Sequence, residues 1–118
     1  MTASILLPQI LEKKVSENSA QLLLQVPEDL LYFNGHFPHT PILAGVVQLH
    51  WAVHFAKDIF LMTDLIEDAS RLKFNNIIRP GDKITLLLEV SPETQSLSYT
   101  YKLEEKIYSS GRFVPLTK

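Results

Sequence analysis

The chain has 118 residues, 46% of them hydrophobic, and a net charge of −2, a size that fits one domain spanning residues 1–118. The charge argues against bulk electrostatic binding to nucleic acid, which rests on a clear basic excess. No cysteine is present, which excludes disulfides, thiolate metal sites and cysteine nucleophiles.

In chain order, "MTASILLPQILEKK" has no basic segment before its short apolar run, so it does not read as a signal peptide. No apolar run reaches the roughly 18 residues of a membrane span. A soluble, cytoplasmic protein without a membrane partner is expected. Residues 9–16 and 20–26 read as two short strands around the turn "ENS", and "PEDL" (27–30) as a helical turn or loop. From Ala44 to about Met62 the pattern is helical. Steps of 100° put His50, His54, Lys57 and Asp58 on one side, and Leu49, Ala52, Val53, Ala56, Ile59 and Phe60 on the other. Apolar over more than half its circumference, this helix is expected to be largely buried. At about 25–28 Å it is long enough to cross a small sheet.

After Asp68 the period changes to two. "RLKFNNIIR" (71–79) alternates Leu72 and Phe74 with Arg71 and Lys73, and "RPGD" (79–82) is a turn signal. "KITLLLEVS" (83–91) aligns Ile84, Leu86, Leu88 and Val90. "SPET" is another turn, and "QSLSYTYKLE" (95–104) aligns Leu97, Tyr99, Tyr101 and Leu103. "SSGR" (109–112) is expected to close a hairpin into a last strand, "RFVPL". The count is five or six strands and one helix, in the order β-β-α-β-β-β(-β). That is an α+β fold, an antiparallel sheet with one face covered by the helix.

All four histidines, His36, His39, His50 and His54, fall between Tyr32 and Phe60. In "NGHFPHTPILAG", Pro38 and Pro41 stiffen an extended segment that enters the helix at Ala44-Gly45. No Ser, Thr, Asp or Asn stands immediately before Gly45 to cap the first amides. A glycine-opened, uncapped helix N-terminus suits a polarised carbonyl or an anion. His36, nine residues earlier, can fold back beside it as a base that takes a proton next to that carbonyl. A proline-stiffened loop with His36 merely packed or solvated accounts for the same pattern.

His50 and His54 are one turn apart. They read as an acid–base residue with a neighbour, as a metal pair, or as a polar stripe with Lys57 and Asp58. A metal is disfavoured, because no Glu follows the first histidine and Trp51, Ala52 and Val53 lie between the two. His39 is expected to be solvated. Trp51 and Phe55 read first as core and second as the lining of an acyl tunnel. Asn75 and Asn76 read as edge or bulge residues. Gln48 lies on the opposite side of the helix from the histidines.

"GHFPHTPILAGVVQL" closely resembles the active-site segment of the FabZ/FabA family of 3-hydroxyacyl-acyl-carrier-protein dehydratases. The pattern is a Gly-His-Phe-Pro run (Gly35 to Pro38), a proline three positions on (Pro41) and a Pro-Gly-Val helix start, here Ala44-Gly45-Val46. "RLKFNNIIRPGDKITLLLEV" is similar to the family's strand, Arg-Pro-Gly-Asp turn and next strand, so the likeness covers about residues 30–105. Short length and "GVVQLHWA" look most like the small dehydratases of aryl-polyene-type clusters. The resemblance implies a hotdog fold, an antiparallel sheet wrapped around one long helix, usually dimeric with two sites at the dimer interface. It implies His36 as the base at the α-carbon of an acyl thioester, and amides near Phe37 and Gly45 binding the thioester carbonyl. Val46 and Trp51 are then substrate-binding positions. An acyl carrier protein delivers the substrate on a phosphopantetheine arm, and no cofactor is needed. Such carriers are acidic, which gives Arg71, Lys73, Arg79 and Lys83 a role.

One position departs from the family. Fourteen residues after the catalytic histidine the family carries a Glu or Asp from the partner subunit, and here stands His50. Imidazole titrates near neutral pH and can donate a proton. Two histidines in one site titrate as a coupled pair, which suits one base and one acid. The leading expectation is therefore a dehydratase with His36 as base and His50 as acid. A non-catalytic acyl-thioester-binding subunit is the alternative, and the missing carboxylate supports it. A thioesterase is disfavoured, since no carboxylate lies between Asp29 and Asp58.

Overall fold

The computed structural model describes residues 7–27, 45–61, 65–67, 72–79 and 81–115. Within them the chain forms β1 (Gln9–Val15), β2 (Ser19–Gln25), α1 (Gly45–Phe60), β3 (Leu65–Glu67), β4 (Lys73–Phe74), β5 (Lys83–Val90), β6 (Leu97–Leu103) and β7 (Lys106–Pro115). All pairings are antiparallel. The strand order is β1-β2-β5-β6-β7-β3, with β4 also pairing with β7.

Alternation decides which face of the sheet is covered. Ala20, Leu22 and Leu24 of β2, Ile84, Leu86 and Leu88 of β5, and Leu97, Tyr99 and Tyr101 of β6 are buried. They form one core with Val47, Trp51, Ala52, Phe55 and Ala56 of α1. Every residue of β1 is exposed. The "RPGD" turn forms as expected. Gly81 adopts φ 83°, a conformation open to glycine, and the Asp82 amide donates to the Arg79 carbonyl at 3.2 Å. The Gln25 side chain then donates to the Gly81 carbonyl at 2.6 Å, tying the turn to the end of β2.

Five expectations are corrected. The described residues hold seven strands rather than five or six. Leu65–Glu67 is a strand that the polar surroundings of "DLIEDAS" conceal. The strand expected over 71–79 shrinks to Lys73–Phe74. Past it, Asn75 and Asn76 both donate their amides to the Tyr108 carbonyl, at 2.8 and 3.0 Å. The register of β6 on β7 shifts there, with Tyr101 opposite Ser109 and Lys102 opposite Ile107. Asn75 and Asn76 are thus edge residues gripping a β-bulge, as read. The hairpin expected at Ser109–Arg112 is instead at Glu104 and Glu105, and Ser109–Arg112 runs inside β7. Glu104 takes φ 55° there, so this turn carries none of the glycine or asparagine that announces one. The helix ends at Phe60 rather than about Met62, because Leu61 turns left-handed at φ 56°.

The fifth correction concerns the helix face. The buried row is Gln48, Trp51, Ala52, Phe55 and Ala56, while Leu49, Val53, Ile59 and Phe60 are only half-buried. The helix turns Trp51 and Phe55 into the core, and a glutamine enters with them. Core packing of Trp51 and Phe55 is as read.

Candidate active site

Gly45 opens α1, and its first turn holds no acidic residue. The sequence presents Gly45 as a gap at the helix opening, and on the side where a Cβ would stand the gap is taken by Phe74. A side chain at Gly45 would place its Cβ 2.9 Å from Cζ and 3.1 Å from Cε1 of Phe74. Phe74, half-exposed at 51%, therefore leans on the helix opening from β4. Sequence reasoning gave Phe74 no part here; its position opposite Ser109 in the sheet brings it to the helix side.

His50 and His54 project from the exposed side of α1. Their rings lie 6.3 Å apart, nearly parallel at 22°, and His54 meets Phe55 edge-on at 5.2 Å. Asp58 continues the exposed stripe and Lys57 is half-buried. His50 is thus accessible in the single chain while Trp51 beside it is fully buried. Trp51 is a core residue in this structure, and the acyl-lining role stays a proposal. His36, Phe37 and His39 lie outside the described residues, as does the Val46 side chain.

Beneath the first turn of α1 is a buried polar contact that the sequence reading missed. Tyr101 Oη donates to the Gln48 backbone carbonyl at 2.6 Å. Ser109 Oγ donates to Gln48 Oε1 at 2.6 Å. Tyr101 and Ser109 face each other across β6 and β7, so one cross-strand pair holds one helix residue. Burial pushes the Tyr101 phenol well above its ordinary value, and the neighbouring Tyr99 adds to this. The phenol thus stays a donor at neutral pH. The signal available in sequence was a glutamine inside an apolar helical run.

Among the described residues, Lys73 does not share a patch with Arg79 and Lys83. Lys73 sits on β4, and β7 and β6 separate it from Lys83 on β5. Arg79 opens the "RPGD" turn, Lys83 follows it, and both are exposed. Arg71 lies outside the described residues.

A long helix laid against an antiparallel sheet, with a His-Phe-Pro run before it in the sequence, is the expected hotdog architecture. The match to known proteins agrees. Residues 12–112 match the ApeI-like family, described as ApeI dehydratase, and the chain belongs to that family. It is 29% identical over 102 residues to a 3-hydroxyacyl-[acyl-carrier-protein] dehydratase FabZ of Rickettsia canadensis, covering 73% of this chain and 68% of that one. A FabZ of Variovorax paradoxus is 32% identical over 69 residues, half of this chain and 46% of that one. Among solved structures, an uncharacterized protein of Erwinia carotovora subsp. atroseptica superposes with TM-score 0.75 and 36% identity over 92% of this chain and 95% of that one. A chain of the dehydratase heterocomplex ApeI:P from Xenorhabdus doucetiae superposes with TM-score 0.80 over 92% of this chain and 97% of that one. At 24% identity, that likeness establishes the hotdog fold. None of the described helices is long and apolar enough to cross a membrane.

Proposed function

We propose that this chain, acting as a single domain over residues 1–118 in a cytoplasmic homodimer or larger homo-oligomer, removes water from 3-hydroxyacyl thioesters. The substrate is carried on the phosphopantetheine arm of an acyl carrier protein, and the product is the trans-2-enoyl thioester of fatty-acid or polyene-type biosynthesis. The observation that carries the reading is the placement of His50. It stands fourteen residues after His36 and projects from the exposed side of α1, where a substrate held by a second copy can meet it. Membership of a dehydratase family supports the reaction class.

The step balances without a cofactor. His36, as neutral imidazole, takes the proton from C2. That electron pair becomes the C2–C3 double bond as the C3–oxygen bond breaks. The hydroxyl leaves as water with a proton from the His50 imidazolium. Backbone amides near Phe37 and Gly45 hold the charge that develops on the thioester oxygen. His36 ends charged and His50 neutral, and proton exchange with solvent resets both.

General acid–base groups contribute about 10²–10⁴-fold each. In an assay of purified protein with 3-hydroxyacyl and 2-enoyl thioesters of pantetheine or carrier protein, the conjugated enoyl absorbance reports turnover in either direction. His36→Ala is expected to abolish turnover and His50→Ala to lower kcat by about 10²-fold or more. Full turnover in His50→Ala removes His50 from the mechanism. The second reading, a thioester-binding subunit without catalysis, is favoured by the histidine at the family's carboxylate position. Saturable thioester binding by a wild type that turns over no substrate would establish it.

A further inference from the structure

We infer that Gln48 is a positioning residue: gripped by Tyr101 and Ser109, it sets the rotation of α1 and thereby aims His50 away from the sheet. The inference rests on the catalytic reading of His50 above.

The argument starts from an ambiguity in the helix itself. Its apolar arc covers more than half the circumference, so burial alone does not select one rotation. One choice centres on Leu49, Val53 and Phe60, as the sequence pattern suggests. The other centres on Trp51 and Phe55, and the protein adopts it, with Ala52 and Ala56 on the buried face in both. Apolar packing is non-directional, whereas hydrogen bonds are directional. The two bonds at 2.6 Å from one cross-strand pair hold the backbone and the side chain of the same residue. Gln48, Tyr101 and Ser109 are all buried, with exposures of 3%, 0% and 0%, where such bonds are strong and costly to lose. Residue 50 lies two steps, or about 200°, around the helix from residue 48. Pinning Gln48 against the sheet therefore fixes the direction in which His50 projects. Gly45 lies three residues before Gln48, so the same grip holds the helix opening under Phe74.

A grip of this kind acts on kcat more than on binding, since small misplacement of a reacting group costs rate steeply. The test compares Ser109→Ala and Tyr101→Phe with Ile84→Val, a buried control on β5 that trims the core without touching Gln48. Kinetics use 3-hydroxyacyl- and 2-enoyl-pantetheine thioesters. Ring resonances of His50, assigned by their loss in His50→Gln, are recorded by NMR on the same samples. Expected are a kcat lowered about 10-fold in Ser109→Ala, a KM within about twofold of wild type and shifted His50 resonances. Ile84→Val is expected to lower the melting temperature with kcat and the His50 resonances unchanged. Equal kcat losses in Ser109→Ala and Ile84→Val at matched loss of melting temperature would reduce the grip to ordinary core stability and overturn the inference. A wild type that converts no 3-hydroxyacyl thioester would refute the dehydratase reading instead. The inference is then decided by the spectra, and His50 resonances unmoved by Ser109→Ala overturn it.

Discussion

The contact between Gly45 and Phe74 predicts a specific non-additivity. In Gly45→Ala the new methyl would sit 2.9 Å from Cζ and 3.1 Å from Cε1 of Phe74. Either the ring is overpacked, at about 1–3 kcal/mol, or it swings away. Phe74 is 51% exposed, so swinging forfeits about half the roughly 1.5–3 kcal/mol that full burial of the ring contributes, on the order of 1 kcal/mol. The cheaper route sets the cost. Against it, replacing a helix glycine with alanine contributes about 0.5–1 kcal/mol, so Gly45→Ala alone should come out within about 0.5 kcal/mol of neutral. With Phe74→Ala already in place the obstruction is gone, and the same change should stabilise by about 0.5–1 kcal/mol. The expected coupling is about 1 kcal/mol. Urea unfolding of the four proteins measures it, followed by the fluorescence of the single tryptophan, Trp51, which is fully buried. Protomer concentration is held fixed, because self-association shifts apparent stability. A coupling below about 0.3 kcal/mol, the scatter of independent sites, would refute the claim that Phe74 is why position 45 is glycine.

Gly111→Ala should behave differently although its geometry is similar. Its Cβ would stand 2.7 Å from Tyr99 Cε2 and 2.7 Å from Leu72 Cδ2, and Tyr99 is buried at 1% exposure with no solvent to swing into. Destabilisation of about 1–3 kcal/mol is expected in the same urea experiment, and a neutral result would show that the core around Tyr99 repacks. Tyr101→Phe should flatten the alkaline limb of the stability curve. The Tyr101 phenol is raised in the folded protein, so its contribution is present in full below the ordinary tyrosine value of about 10 and is lost as pH rises beyond it. Unfolding free energies between pH 9 and 11 that fall equally steeply in wild type and Tyr101→Phe would contradict this.

Much of the architecture was legible where burial on one face imposes a period. Ile84, Leu86 and Leu88, and Leu97, Tyr99 and Tyr101, alternate in sequence and are buried as read. The turn at "RPGD" was legible because Gly81 supplies the positive φ it needs. The Glu104–Glu105 turn was not, because glutamate gives no such signal and the strain at Glu104 is held by strand pairing on both sides. β3 and β4 were hidden because their pairing to β7 depends on partners some forty residues away. Within the site, the exposed placement of His50 was readable from helical spacing. The helix rotation was not, because it depends on Ser109 and Tyr101, whose hydroxyls carry no mark in sequence of what they will meet. Phe74 read as one apolar residue of a strand, and only its register opposite Ser109 brings it to Gly45.

The bond between Ser109 and Gln48 also bears on how the sheet chooses its alignment. Leu22, Leu86, Tyr101, Ser109 and Phe74 are successive partners in one line across β2, β5, β6, β7 and β4. A slip of one residue in any strand sends its side chains to the opposite face. In β2, β5 and β6 a slip turns Leu22, Leu86 or Tyr101 out of the core and brings in a neighbour such as Gln21, Thr85 or Lys102. For β7, a slip that puts Tyr108 in place of Ser109 also takes the Ser109 hydroxyl away from Gln48 Oε1, and losing a buried bond of this kind costs about 1–3 kcal/mol. The buried glutamine thus works as a proofreader of the folding chain, adding a polar penalty to alignments of the β6–β7 hairpin that place no hydroxyl beneath it.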